Sequence, residues 1–189
     1  MVYSIGWDRI RISSVIEERD RPLSGLSFAQ AARQEGLSEA ELFCRLLADN
    51  GSRVGVILMS MDPADVDRVL TLPYVSVISD SLYGGGDMPH PRLYGSFPKF
   101  LREYVREKGL LSLEEAVAKM TALPARRLGL GDRGVLAPGK KADVLLFDPA
   151  SFTDRATFSE PKQLSAGLWK VFVNGREPEQ LPGQVVSRS

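Results

Sequence analysis

The sequence predicts an α/β fold, and three observations carry the prediction. Short β-branched runs alternate with stretches whose apolar residues recur at helical spacing. Two of those stretches open on a capping box, in which a serine and the glutamate three residues later satisfy each other's backbone amides. Beyond Leu130 the texture changes: glycine and proline punctuate short apolar segments, which read as a small β element. The chain has 189 residues, 43% of them apolar, enough for a real core in one domain or one and a fraction.

The first strand lies in Arg9-Ile10-Arg11-Ile12-Ser13-Ser14-Val15, which alternates apolar and polar residues and leaves Ser13 and Ser14 at its C-terminal end. Glu17 to Gly25 is charged, is broken by Pro22 and reads as a loop. Ser38-Glu39-Ala40-Glu41 then caps a helix with Leu42, Phe43, Leu46 and Leu47 on its apolar face, ending near Asn50-Gly51. Cys44 falls inside that helix and reads as a small apolar core residue, since no basic neighbour or second cysteine is placed to activate it. Asp62-Pro63 resembles an N-cap with proline at the first helical position, starting a helix that stops at Pro73.

Tyr74 to Asp80 has the composition of a strand covered on both faces, as in a parallel sheet, with Asp80 at its C-terminal edge. A glycine-rich loop, Ser81 to Arg92, leads to a helix whose apolar residues are Phe97, Phe100, Leu101, Tyr104 and Val105, with Pro98 in its first turn. The second capping box, Ser112-Leu113-Glu114-Glu115, opens a helix with Leu113, Ala116, Val117 and Met120 toward the core, running into Pro124. The β element that follows has runs at Ala142–Phe147 and Leu168–Val173, the second closing on Asn174-Gly175, the dipeptide that favours a type I′ hairpin. Residues 178–189 read as a flexible tail.

Composition excludes several function classes. With 24 Lys+Arg against 24 Asp+Glu there is no positive excess to draw nucleic acid or an anionic membrane. No run approaches the roughly 20 apolar residues of a membrane span, and the start lacks a secretion signal, so a cytoplasmic location is expected. One cysteine, Cys44, and one histidine, His90, leave few soft ligands for a metal.

The chemistry-bearing candidates cluster around the glycine-rich loop. An acidic residue at the end of a parallel strand is where α/β barrels and open sheets place catalytic groups, and Asp80 has that position, although it also suits a turn cap. Arg92, in Pro89-His90-Pro91-Arg92, could hold a substrate carboxylate by a bidentate pair or simply serve solubility. His90 could act as a base or ligand, or give the loop its shape between two prolines.

The segment Val77 to Leu101, VISDSLYGGGDMPHPRLYGSFPKFL, resembles the stretch around the last barrel strand of N-acyl-D-amino-acid deacylases, the D-aminoacylases of the amidohydrolase superfamily. The run LLSLEEAVAKMTALPARRLGLGDRGVLAPGKKADVLLFDP resembles the helix and small β-domain that finish those enzymes. Gly6-Trp7-Asp8-Arg9-Ile10, Phe158-Ser159-Glu160-Pro161 and Val173-Asn174-Gly175 extend the likeness over nearly the whole chain.

The resemblance implies a C-terminal fragment of a metal-dependent-hydrolase (β/α)₈ barrel, its last two strands with helices and an insertion, plus part of a small β-sandwich domain. Residues 1–130 would belong to the barrel, with the insertion at about 17–60, and residues 131–177 to the β-domain. It implies zinc-dependent hydrolysis of the amide bond of N-acyl-D-amino acids. The family's general base matches Asp80, the arginine of its H-P-R motif matches Arg92, and its carboxylate-holding serine matches Ser13 or Ser14; His90 lies within the same motif. The family's zinc ligands lie upstream of anything matched here, so Asp80 would be at most a weak metal ligand in the intact enzyme. No zinc is expected on this chain alone, and the chain alone is expected to be inactive. Partners would be the small-molecule substrate in the intact enzyme and a second copy, through exposed barrel edges. Two alternatives stand beside this reading: a structural or binding module that self-associates or completes a barrel from another chain, and a dihydroorotase- or hydantoinase-like cyclic amidohydrolase, against which the H-P-R run speaks.

Overall fold

The alternating run predicted as the first strand is one: in the computed structural model, which describes residues 5–81 and 88–180, β1 spans Ile10–Ser14. Its partner is β2, Gly55–Leu58, a short run the pattern did not single out, which pairs with it antiparallel. Ile12 faces Val56 and Ser14 faces Gly55, so Ser13 is an extra residue bulging from β1. Between the strands, α1 (Phe28–Glu35) and α2 (Glu39–Asp49) each start on a capping box, from Ser27 to Gln30 and from Ser38 to Glu41. The charged stretch read as a loop contains a 3₁₀ turn, Glu18–Leu23.

These elements close around Ile10, Ile12, Val15, Leu23, Phe28, Leu42 and Leu46. Trp7, Phe28 and Phe43 add a three-way aromatic contact with centroids 5.5–5.8 Å apart and tilted planes, the arrangement ring quadrupoles favour. Cys44 is not in this core: it lies exposed on α2, whose buried face is Leu42 and Leu46. Three helical turns cannot bury every side, and residue 44 falls opposite the stripe set by 42 and 46.

Under the core runs a polar network. Asn50 Oδ1 accepts from the Ile16 and Glu17 amides at 2.6 and 2.9 Å, while Nδ2 donates to Asp20 and to the Leu46 carbonyl at 2.9 Å each. Asp20, only 1% exposed, also takes the Arg45 guanidinium at 3.2 Å. The segment leaving β1 is thereby stitched to the end of α2.

The chain divides into two compact units, Met1–Pro63 with Asp80–Tyr94 and Ala156–Gln163, and Ala64–Ser79 with Gly95–Arg155 and Leu164–Ser189. From Pro63, the last residue of that first stretch, α3 spans Pro63–Thr71, as Asp62-Pro63 predicts, and leads into the second unit. The strand predicted at 74–80 is not formed. Its composition suits a ladder, but its backbone groups are taken by helix side chains and turns. Lys119 Nζ donates to the Leu72 carbonyl and, at 3.1 Å, to that of Val75; Arg127 donates to the Tyr74 carbonyl, and the Val77 amide donates to the Lys119 carbonyl at 3.1 Å. Lys119 is 5% exposed, and desolvation lowers its pKa.

The next helix, α4, begins at Arg92 rather than near Phe97 and runs to Phe100, after which Leu101–Glu107 winds as a π-helix. Pro98 therefore sits in the helix interior, where it offers no N–H to the ladder. α5 (Leu113–Met120) is capped by Ser112 and Glu115 as predicted; Thr121 breaks it, and α6 (Ala122–Arg127) carries Pro124 near its start. β3 (Val144–Phe147) and β4 (Leu168–Phe172) pair antiparallel. At the predicted hairpin Asn174 and Gly175 have φ of 51° and 78°, and Val173 and Arg176 exchange backbone hydrogen bonds of 2.9 and 3.1 Å. Of the predicted tail, 178–180 form a 3₁₀ turn, and 181–189 lie outside the described residues. Val77, Phe100, Leu101, Tyr104, Ala116 and Phe152 make this unit's core. Among the described residues no helix is long and apolar enough to cross a membrane.

Candidate active site

The four residues singled out from the sequence, Ser13, Asp80, His90 and Arg92, all fall in the first unit. Asp80 follows the extended segment ending at Ser79 and turns the chain with φ of 46°, a left-handed conformation that aspartate tolerates better than most residues. Part of the glycine-rich loop, residues 82–87, lies outside the described residues. The chain returns at Met88, whose amide donates to the Ser13 carbonyl at 2.9 Å. The loop's end is thus tied to the bulged residue of β1.

Pro89-His90-Pro91 then delivers Arg92. His90 Nδ1 accepts the Arg92 amide at 3.0 Å, and the Leu93 and Tyr94 amides donate to the carbonyls of His90 and Pro91 at 3.1 Å each. This places Arg92 at the first position of α4, with a histidine ring serving the amide as an N-cap side chain would. Of the two readings held open for His90, the loop-shaping one has a bond behind it, since Nδ1 accepts the Arg92 amide.

Arg92 Nη2 stands 3.3 Å from Asp80 Oδ2, with side-chain exposures of 45% and 77%. Two residues separated by a glycine-rich loop are brought into one ion pair in contact with solvent. Ser13 is buried, its carbonyl is tied to Met88, and its hydroxyl and that of Ser14 both lie over Gly55. A Cβ built on Gly55 would fall 2.7 Å from Ser13 Oγ and closer still to Ser14 Oγ, so a larger residue at 55 would have to turn both hydroxyls aside.

Among the described residues the donors do not make a zinc site. A catalytic zinc takes about three protein ligands, yet among the described residues no three His, Cys, Asp or Glu side chains come together as one would need. Asp80 pairs with Arg92, and Cys44 lies on the exposed face of α2. The arrangement offers a carboxylate able to accept a proton and a guanidinium able to hold an anion, side by side.

Two contacts escaped the sequence reading. The Phe158 ring meets His90 edge-on, with centroids 5.2 Å apart and planes at 75°, and the Arg11 guanidinium lies 6.0 Å from the Phe158 centroid. Phe158-Ser159-Glu160-Pro161 was legible as part of the family likeness, but nothing in its spacing pointed to the loop.

The amidohydrolase family profile matches residues 75–177. The chain is 43% identical over 171 residues to the N-acyl-D-aspartate deacylase of Alcaligenes xylosoxydans xylosoxydans, covering 87% of this chain and 33% of that protein. The D-aminoacylase of the same organism is 42% identical over 153 residues, 81% of this chain and 30% of that protein. Among solved structures, N-acyl-D-glutamate deacylase from Bordetella bronchiseptica, complexed with zinc and a phosphonate mimic of the tetrahedral intermediate, superposes with a TM-score of 0.83 at 42% identity, covering 95% of this chain and 36% of that one. The chain spans about a third of the length of the relatives it matches.

Proposed function

Because the chain belongs to the amidohydrolase family, we propose that it is the C-terminal part of a zinc-dependent enzyme that hydrolyses the amide bond of N-acyl-D-amino acids. In that enzyme residues 1–130 contribute the last part of a (β/α)₈ barrel and 131–177 part of a small β-domain. The observation that carries the reading is the 3.3 Å approach of Arg92 to Asp80. In an N-acyl amino acid the carboxylate and the amide nitrogen hang from the same carbon. A site for such a substrate therefore needs its carboxylate holder and its proton-transfer group within a few ångströms of each other.

The roles follow from the chemistry of each group. Arg92 binds the α-carboxylate through a charge-assisted fork, and the Ser13 hydroxyl adds a donor to the same carboxylate. Asp80 takes the proton from the attacking water and returns it to the leaving amine. His90 holds the Arg92 amide and thereby the direction of the fork. Zinc would be held by residues corresponding to the rest of the relatives' length and, when bound, would supply the polarisation of the scissile carbonyl and a more acidic attacking water.

The test is kinetic, in the assembled enzyme, with N-acyl-D-glutamate as substrate. Loss of a charge-assisted pair in Arg92→Ala removes about 1.5–3 kcal/mol of binding, so KM should rise roughly 10- to 150-fold with a smaller change in kcat. An Arg92→Ala enzyme with unaltered kcat and KM would remove the guanidinium from substrate binding.

A further inference from the structure

We propose that Phe158 is a positioning residue for Arg92, acting through the His90 ring; the inference rests on the carboxylate-binding role given to Arg92 above. The contact is built rather than incidental. Phe158 sits at the tip of a tight turn: the Thr157 amide donates to the Glu160 carbonyl at 3.1 Å, the Glu160 amide donates to Thr157 Oγ1 at 2.9 Å, and Thr157 and Ser159 hydroxyls meet at 3.0 Å. Ala156 and Pro161, on either side, are buried and anchor the turn in the first unit.

At the tip the half-buried ring meets two side chains of the first unit. One side takes the His90 imidazole edge-on; the Arg11 guanidinium lies near the ring as well, itself fixed by a 2.9 Å hydrogen bond to the Gly25 carbonyl. Arg11 is the β1 residue two before Ser13. The ring therefore fixes the imidazole plane from one direction while β1 fixes the ring from another. An imidazole held in one plane aims Nδ1 at the Arg92 amide, the bond that sets the start of α4. A free imidazole would rotate about its χ2 torsion, which is broad, and share that bond with water.

The experiment uses the full chain in solution and nuclear magnetic resonance. His90 is the one histidine in the sequence, so its ring signals identify themselves. In Phe158→Leu the His90 ring protons should lose their ring-current shift, and the Arg92 amide should exchange with solvent at least about tenfold faster, while the Leu42 amide in α2 keeps its protection. Phe158→Tyr, which keeps the ring, should restore both. If Phe158→Leu does not fold, His90→Ala reads the same bond directly and should accelerate Arg92 exchange to a similar degree. Arg92 exchange within twofold of wild type in a folded Phe158→Leu or His90→Ala chain overturns the proposal. A parallel titration with N-acetyl-D-glutamate follows the Arg92 side-chain Nε–H. No response in the wild-type chain would count against the carboxylate role of Arg92, while the exchange ratio alone decides the role of Phe158.

Discussion

Asn50→Ala should destabilise the first unit by about 3–5 kcal/mol, and the size follows from what the amide does. Asn50 is 1% exposed and fills its whole hydrogen-bonding capacity, two donors and two acceptor lone pairs, with the Ile16 and Glu17 amides, the Leu46 carbonyl and the Asp20 carboxylate. A net worth of about 1 kcal/mol for each of the four bonds gives about 4 kcal/mol, and leaving Asp20 buried with one donor fewer carries it toward the upper end. Asn50→Asp should be at least as harmful near neutral pH, since it sets two carboxylates against each other at a 2.9 Å contact. Urea unfolding followed by tryptophan fluorescence reads this out in a Trp169→Phe background. That leaves Trp7, which packs against Phe28 and Phe43 in the same unit, as the sole reporter. A loss below about 1 kcal/mol for Asn50→Ala would refute the view that this network holds the segment leaving β1.

In the second unit the Lys108 ammonium, and after it the Tyr104 hydroxyl, hold the Asp67 carboxyl below its usual range through hydrogen bonds of 2.6 Å each. A depressed acid contributes stability above its unfolded-state pKa and loses it as pH falls through the folded value. Wild type and Asp67→Asn should therefore differ near neutral pH and converge below about pH 4 in a denaturation series, and a constant gap across that range would contradict this. Asp80→Gly should leave stability within about 1 kcal/mol of wild type, because glycine accepts the left-handed backbone and an exposed ion pair contributes little; a loss above about 2 kcal/mol in urea titrations would mean that Asp80 is structural.

What the sequence made legible was local. The caps at Ser38 and Ser112, the β1 alternation and the Asn174-Gly175 turn are short-range signals whose physics is complete within a few residues, and each is found where it was expected. The Ser27–Gln30 capping box was equally local and, with the alanine-rich run behind it, was legible on the same terms. The strand expected at 74–80 fails for a different reason: β-propensity reports fitness for a ladder, whereas a ladder needs a partner, and here Lys119 and Arg127 occupy the carbonyls instead. Nothing in the period of α5 marks Lys119 as buried, because its partners come from a segment far away in sequence. The site was legible as residue types in a loop. The bulge at Ser13, the Met88 tie and the edge-on Phe158 contact depend on register and long-range packing that spacing does not encode.

Local rules are broken together in one neighbourhood, and stability does not explain why. A non-glycine residue at φ of 46° and a bulge in the five-residue β1 each cost something. The pair they serve, Asp80 with Arg92, lies at exposures where solvent screening leaves an ion pair worth about 0–1 kcal/mol. Interactions this weak in water become strong when a ligand displaces that water, since the same charges then act across a lower effective dielectric. A carboxylate docking on Arg92 would do that, and would bring an adjoining amide to Asp80 in the same step. Expense in the backbone with little return in stability fits the carboxylate-binding role proposed for the Asp80–Arg92 loop, a feature the better-packed network around Asn50 does not share.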